Sequence, residues 1–360
     1  MTVVGTRPEI IRLSRTMALL DEHVNHVIVH TGQNYDYELN EIFWEEMELP
    51  RPDHFLEIDT SSLGSQVGDI IRQSEKILKQ VRPDALLVLG DTNSCLSAYM
   101  AKRMHIPIFH MEAGNRCFDF NVPEEINRRI IDHIADYNLV YTEHARRHLL
   151  SEGLPHNRIY LTGSPMKEVL DYYKTKIEES DILNKLNLEK KGYFLVSAHR
   201  EENVDVAENL ENILNILNAL TENYGLLAIV STHPRTKKRI EEWRDYKSNV
   251  LIRFMKPFGY FDYVHLQKHA KCVLSDSGTI SEESAILSFP AVTIRNAMER
   301  PEAMDAGTVV LTGLDVKVVL QSIEVVCSEF EKDKNYHKIP FDYTIPNTSW
   351  RVLKLIAGIK

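Results

Sequence analysis

Twelve short apolar runs, most of them rich in β-branched residues, alternate along the chain with longer stretches of helical periodicity. The first six are TVV (2–4), HVIVH (26–30), ALLVLG (85–90), IPIFHM (106–111), NLVYT (138–142) and IYLTG (159–163). The second six are YFLVSAH (193–199), LLAIVSTH (226–233), NVLIRF (249–254), KCVLSDS (271–277), AVTIR (291–295) and TVVLTG (308–313). Between them, segments such as LGSQVGDIIRQSEKILKQV (63–81) and NLENILNILNALTENY (209–224) space apolar residues three and four apart, as one helix face requires. A strand apolar on both faces must be covered on both faces, and a helix after each strand supplies the cover. The pattern predicts an α/β protein with parallel sheets. The polar stretch DYYKTKIEESDILNKLNLEKKG (171–192) separates the two sets. The expected architecture is two Rossmann-like domains, residues 1–164 and 165–346, facing one another across a cleft. The final segment, NTSWRVLKLIAGIK (347–360), reads as a helix that packs back on the first domain.

Composition narrows the function. At 360 residues the chain can bury two cores. A net charge of −10 with no block of Lys or Arg argues against a nucleic-acid partner. Cys95, Cys117, Cys272 and Cys327 lie far apart with no C-x-x-C, which suggests reduced thiols and neither a zinc site nor a redox pair. No apolar run approaches the roughly 20 residues of a membrane span and no signal peptide opens the chain, so no membrane partner and a cytoplasmic location are expected. No G-x-G-x-x-G follows any strand, so neither a nicotinamide nor a flavin cofactor is expected.

In parallel sheets ligands bind beyond the carboxyl ends of the strands, and there the polar clusters sit. They read GTRPE (5–9), GDTNS (90–94), HMEAGNR (110–116), SAHREEN (197–203), STHPR (231–235) and SDSGTISEE (275–283). Arg7, before Pro8 at a helix opening, suits a diphosphate, although a surface Arg in a capping turn explains it equally well. His199 follows a buried strand directly; His233 reads as structural. Asp91 fits a helix cap as readily as chemistry. Glu112 follows His110 and Met111, both buried in character, so it requires a partner or a shifted pKa. In the helix PEEINRRIIDHIADY, Ile126, Ile130 and Ile134 form the expected buried stripe, and Glu124–Arg128 and Glu125–Arg129 are i, i+4 pairs that explain both acids without chemistry. In SDSGTISEES, Thr279 to Glu282 matches a capping box, which frees Ser277 and Gly278 to offer donors to a phosphate. Glu283, about 100° further round the helix, can accept from ribose hydroxyls.

Taken together, GTRPE, GDTNS, HMEAGNR, PEEINRR, SAHRE, SDSGTISEES and ERPE resemble, in order and over nearly the whole chain, the non-hydrolysing UDP-N-acetylglucosamine 2-epimerase family. The resemblance implies the glycosyltransferase-B architecture, a homodimer and a UDP-sugar substrate, with no metal. It assigns Arg7, His199, Ser277, Glu283 and Arg300 to the UDP group, together with Gly278 and the basic position held here by Arg12. It matches Asp91, Glu112 and Glu125 to the catalytic carboxylates, and His199 is counted with them. This chain departs from the commonest family pattern at Asn34 in TGQN, at Asn115 and Cys117 in EAGNRC, and at Thr279 in SDSGT. With TGQNYDYELN and TGSPM, these departures resemble the UDP-N-acetyl-L-fucosamine synthase branch, which epimerises C2 of UDP-2-acetamido-2,6-dideoxy-L-talose for capsule and O-antigen synthesis. The changed TGQN segment weakens the expectation of an allosteric UDP-sugar site. UDP-N-acetylglucosamine 2-epimerisation, glycosyl transfer on the same architecture, sugar-releasing hydrolysis and nucleotide-sugar sensing are the competing readings.

Overall fold

Seven parallel strands form the first sheet: β1 (Thr2–Val4), β2 (Ile28–His30), β3 (His54–Phe55), β4 (Leu86–Leu89), β5 (Ile108–Met111), β6 (Tyr137–Val140) and β7 (Ile159–Leu161). They pair in the order β3-β2-β1-β4-β5-β6-β7. Six more parallel strands form the second: β8 (Tyr193–Ser197), β9 (Leu227–Ser231), β10 (Ile252–Met255), β11 (Cys272–Ser275), β12 (Ala291–Thr293) and β13 (Val310–Leu311), ordered β10-β9-β8-β11-β12-β13. These are observations on a computed structural model that describes residues 1–32, 41–232, 234–242, 249–332 and 339–358. His233 and Asn34 lie outside the described residues.

Each of the twelve apolar runs overlaps one strand. The thirteenth, β3, is a two-residue edge strand that pairs only with β2 (Val29↔His54, His30↔Phe55), too short to leave a pattern. Both sheets have the Rossmann order, which reverses between β1 and β4 and again between β8 and β11. At such a point successive helices depart to opposite faces and leave a crevice beyond the strand ends. The clusters GTRPE and GDTNS flank the first switch point, and SAHREEN and SDSGTISEE flank the second.

Helix boundaries follow local chemistry. The helix Arg7–His23 opens with Pro8 in its first turn, where a missing N–H is harmless. The helix Leu63–Val81 is capped by Ser62, whose hydroxyl accepts from the Ser65 N–H at 3.1 Å, and ends on Arg82 at φ 50°. The helix Ala207–Tyr224 stops at Gly225, φ 63°, a backbone angle that favours glycine. Each sheet has its own core. Val3, Val29, Leu86, Val88, Ile108 and Ile131 pack together in one; Phe194, Val196, Leu214, Leu217, Val230 and Leu274 do so in the other.

The chain divides into two units, Met1–Tyr172 with Phe341–Lys360, and Tyr173–Pro340. The boundaries fall at 172/173 and 340/341, not at 164/165 and 346/347. The helix Met166–Tyr172 stays with the first unit because it packs on Arg7–His23, with the Arg15 guanidinium 3.4 Å from the Tyr172 ring centroid. Asp342 likewise holds the returning chain by accepting from the Glu143 N–H at 3.0 Å. The helix Thr348–Ala357 then lies on Arg7–His23, and the Ser349 N–H donates to Glu168 at 2.9 Å. Most of the polar stretch 171–192 belongs to the second unit, where Ile177 and Ile182 are buried and the Ile177 carbonyl oxygen lies 2.7 Å from Nδ1 of His265.

The helix Pro123–Ile134 contradicts its expected orientation. Ile126 and Ile130 are 50% and 42% exposed, and Ile134 is only half-buried. The buried side chains are Glu125, Arg128, Ile131 and Asp132. The apolar stripe faces outward because the surfaces behind the helix carry charges that only its polar face can satisfy.

Candidate active site

At the first switch point a single buried carboxylate joins the ends of β1 and β4. Glu9 accepts from the Gly5 N–H (2.9 Å) and the Thr6 hydroxyl (2.8 Å) through one oxygen, and from the hydroxyls of Thr92 (3.1 Å) and Ser94 through the other. Burial raises its pKa, against the opposing pull of those donors. Sequence reasoning missed Glu9; the Thr6-x-x-Glu9 spacing at a helix start was its signal. Arg7 opens the same helix, half-buried, its guanidinium 5.6 Å from the Phe43 ring centroid.

Asp91 follows Gly90 in the chain, and Glu112 packs against that glycine. Glu112 has the left-handed angle φ 66° and is almost buried, and a Cβ added at Gly90 would lie 3.7 Å from its Oε2. Arg12 donates to that oxygen, and Asn115 Nδ2 donates to Oε1 at 3.2 Å. Arg12, expected against UDP, therefore faces Glu112: a guanidinium 6% exposed requires a carboxylate beside it. Burial opposes its charge, but Glu112, Tyr141 and Asp91 together outweigh burial and raise its pKa. Asp91 does not cap the next helix. Thr92 holds the position before the short helix Asn93–Leu96, while Asp91 Oδ2 accepts from Nε (3.0 Å) and Nη2 (2.7 Å) of Arg128.

From Arg128 the polar face of Pro123–Ile134 continues as a chain of ion pairs, buried at Glu125, Arg116 and Asp132 and partly exposed at Arg129 and Glu152. Arg128 also donates to Glu125 at 3.1 Å; Glu125 accepts from Arg129 at 2.9 Å and from the Cys117 N–H at 3.1 Å. Arg129 reaches Glu152, Glu152 pairs with Arg116, and Arg116 with Asp132 at 2.6 Å. Asp132 also takes the Gly114 N–H on both oxygens (3.2 Å each) and lies 3.0 Å from His110 Nδ1, while His110 Nε2 donates to the Gly90 carbonyl at 2.9 Å. Burial works against the Asp132 charge, yet His110 and Arg116 hold its pKa below the ordinary carboxylate value. Glu125 has no exposed surface and both of its oxygens accept from arginines. Buried ion pairs contribute little net stability compared with apolar packing, so a chain this long points to the positioning of Asp91 and Glu112.

At the second switch point Asp276 plays the joining role. It accepts the N–H groups of His199 (2.9 Å) and Arg200 (3.0 Å), and His199 Nδ1 lies 3.1 Å from its other oxygen. Burial would raise the Asp276 pKa, but His199 and Arg200 reverse that and hold it far below the carboxylate range. The Ser277 hydroxyl is 2.9 Å from that of Thr279, and among the described residues the Gly278 N–H donates to nothing. That N–H is available to an anion. A Cβ at Gly278 would come within 3.3 Å of Glu299 Oε1, so the backbone there runs tight against the Arg200–Glu299–Arg295 ion pairs.

The expected capping box does not form. Thr279 already has helical angles (φ −72°, ψ −20°), whereas a cap residue needs an extended backbone. Glu282, wholly buried, pairs instead with Arg300, and this turns Arg300, also expected on UDP, toward the protein. Glu283 accepts from Gln267 Nε2 at 2.6 Å and keeps 6% of its surface exposed. Among the described residues no group of three or more His, Cys, Asp or Glu could hold a metal ion, and no helix is long and apolar enough to cross a membrane.

Known proteins share both the sequence and this pair of sheets. The sequence pattern of the UDP-N-acetylglucosamine 2-epimerase family matches residues 18–357. The chain belongs to that family. The solved UDP-N-acetylglucosamine 2-epimerase of Rickettsia bellii is 49% identical, with a TM-score of 0.91 over 99% of this chain and 95% of that one. The Methanocaldococcus jannaschii UDP-GlcNAc 2-epimerase, solved with UDP-GlcNAc and UDP, is 36% identical, with a TM-score of 0.92 over 99% and 98%. A UDP-2,3-diacetamido-2,3-dideoxy-D-glucuronate 2-epimerase of Pseudomonas aeruginosa is 31% identical over 89% of this chain and 90% of its own length. Membership places this chain among epimerases of UDP-sugars, and the two Rossmann-like parallel sheets are the family fold. In this epimerase the sequence pointed to strand-end residues one by one. Glu9, Arg128, Asp132 and Asp276, which join them, left only helix-start spacings or buried acids as signals.

Proposed function

We propose that this epimerase inverts C2 of UDP-2-acetamido-2,6-dideoxy-L-talose to give UDP-N-acetyl-L-fucosamine, eliminating UDP and adding it back. One observation carries the choice of sugar: residues departing from the commonest family pattern sit on the candidate site itself. Asn115 donates to Glu112, and Thr279 is hydrogen-bonded to Ser277.

The C2 hydrogen of such a sugar is not next to a carbonyl, so direct deprotonation is prohibitive. In elimination the C1–O bond breaks with its electron pair leaving on UDP, while a base takes the C2 proton. A 2-acetamidoglycal remains. UDP then returns to C1 as a proton reaches the opposite face of C2, so acid/base groups are needed on both faces. Asp91, next to Gly90 in the chain, and Glu112, packed against that glycine, are the pair we assign to this work. Glu125, without exposed surface, acts through Arg128 as a positioning residue. Arg7, His199, Ser277 and Gly278 hold the departing diphosphate, where fixed donors matter most. Glu283 accepts from the ribose, and Arg12 and Arg300 orient Glu112 and Glu282. The product supplies capsule and O-antigen synthesis from a cytoplasmic homodimer, to which Tyr99, Ile126 and Ile130 offer exposed apolar surface.

The names of the relatives favour a second reading, conversion of UDP-N-acetylglucosamine to its manno epimer. Incubation with each UDP-sugar in D2O decides between the two. The talose-type sugar should turn over faster and carry deuterium at C2, whether or not NAD is added. An epimer that keeps its original C2 hydrogen refutes elimination; preference for the glucosamine-type sugar establishes the second reading.

A further inference from the structure

Asp276, the residue after β11, is wholly buried and touches no solvent. Its Oδ2 collects donors from the segment after β8: the N–H groups of His199 and Arg200, at 2.9 and 3.0 Å, and Asn203 Nδ2 at 3.0 Å. Oδ1 remains. It lies 3.1 Å from Nδ1 of His199, and among the described residues neither atom makes a hydrogen bond. A buried carboxylate oxygen left unpaired costs roughly 1–3 kcal/mol or more, so the stable arrangement puts a hydrogen on Nδ1, facing Oδ1. The His199 side chain is one-third exposed.

We propose that Asp276 is the positioning residue for His199, holding it in the Nδ1–H tautomer so that Nε2 is the ring atom presented to the UDP diphosphate. The proposal rests on the assignment of His199 to the diphosphate. Asp276 itself touches no ligand. The same carboxylate aligns the backbone of His199 and Arg200, so ring and loop are set by one group across the switch point. A histidine held at one ring nitrogen has a defined direction for the other.

Two measurements test this. The first compares UDP affinity by calorimetry for wild type, Asp276→Asn, His199→Gln and the double variant. Losing a charge-assisted contact weakens binding about tenfold or more. Each single variant should lose that much, and the double should lose no more than the worse single, because both changes remove one interaction. The second reads the His199 tautomer from imidazole nitrogen chemical shifts. It should be Nδ1–H in wild type and move toward Nε2–H in Asp276→Asn, where an amide N–H can face the ring. Losses that multiply in the double variant, or a tautomer unchanged by Asp276→Asn, overturn the proposal. Undiminished UDP affinity in His199→Gln with the tautomer change present refutes the diphosphate assignment and leaves the Asp276–His199 pairing established. If Asp276→Asn does not fold, Asn203→Ser removes one donor from the same oxygen; its smaller loss should vanish in the His199→Gln background, and an additive loss counts against the proposal.

Discussion

Gly114→Ala should damage both stability and turnover, and a second glycine isolates the reason. Gly114 has φ 81° and Gly153 has φ 86°, so alanine at either meets a similar backbone penalty, about 1–2 kcal/mol. Their surroundings differ. A Cβ at Gly153 would meet nothing within 4 Å; one at Gly114 would sit 2.4 Å from the Ala145 carbonyl oxygen and 2.9 Å from its carbon. That neighbour is helix backbone and cannot rotate away, so the loop must move by about 1 Å, with an overpacking cost of roughly 1–3 kcal/mol. The difference between the two variants in urea unfolding should therefore be about 1–3 kcal/mol, with Gly114→Ala the weaker. The displaced loop carries Glu112 two residues upstream and donates the Gly114 N–H to Asp132. A misplacement of that size at a reacting group costs on the order of 100-fold, so the rate of C2 deuterium exchange should fall by about that factor in Gly114→Ala and hardly change in Gly153→Ala. Equal stabilities for the two variants, with exchange intact in both, would refute the idea that this close approach sets the position of Glu112.

Glu112→Gln and Asp91→Asn should each slow C2 exchange by roughly 10²–10⁴ while UDP affinity, measured by calorimetry, stays within a few-fold. An equally large loss of UDP affinity would instead place these acids on the nucleotide. Arg12→Met should destabilise the fold by about 3–5 kcal/mol in urea, because it takes the guanidinium away from the buried Glu112 charge, and the double change with Glu112→Leu should recover much of that. A stable single variant would mean that Glu112 does not depend on Arg12. The Asp132 pKa is depressed in the folded state, so its stabilisation is complete above the ordinary value of 3.8 and is lost as pH falls from there through the folded value. Urea midpoints at pH 5 and pH 3 should therefore drop further in wild type than in Asp132→Asn; equal drops would show that Asp132 does not carry the acid limb.

Features set within a few residues of chain were legible in the sequence. The twelve apolar runs marked strands because a strand buried on both faces has to be apolar along its length, and the helical spacing between them implied parallel connections. Since ligands meet such sheets at the strand ends, Arg7, Asp91, Glu112, His199, Ser277 and Gly278 could be named as candidates before any strand had a neighbour. The two-residue strand β3 escaped because a pattern needs more length than that.

Partnerships were decided by the tertiary structure. Local spacing paired Glu124 with Arg128 and closed a cap at Glu282; in the fold Arg128 reaches Asp91 and Glu125, and Glu282 reaches Arg300. The stripe of Ile126 and Ile130 turned outward for the same reason, and Asp276 became the partner of His199 across the second switch point. A charge taken out of water finds its stabilisation in whatever opposite charge or donor the packing brings within about 3 Å, and for Asp91, Glu282 and Asp276 that group arrives from outside the local helix turn. The periodicity of a chain encodes which face of each element avoids water. Which ions meet once water is gone depends on how the strands are ordered.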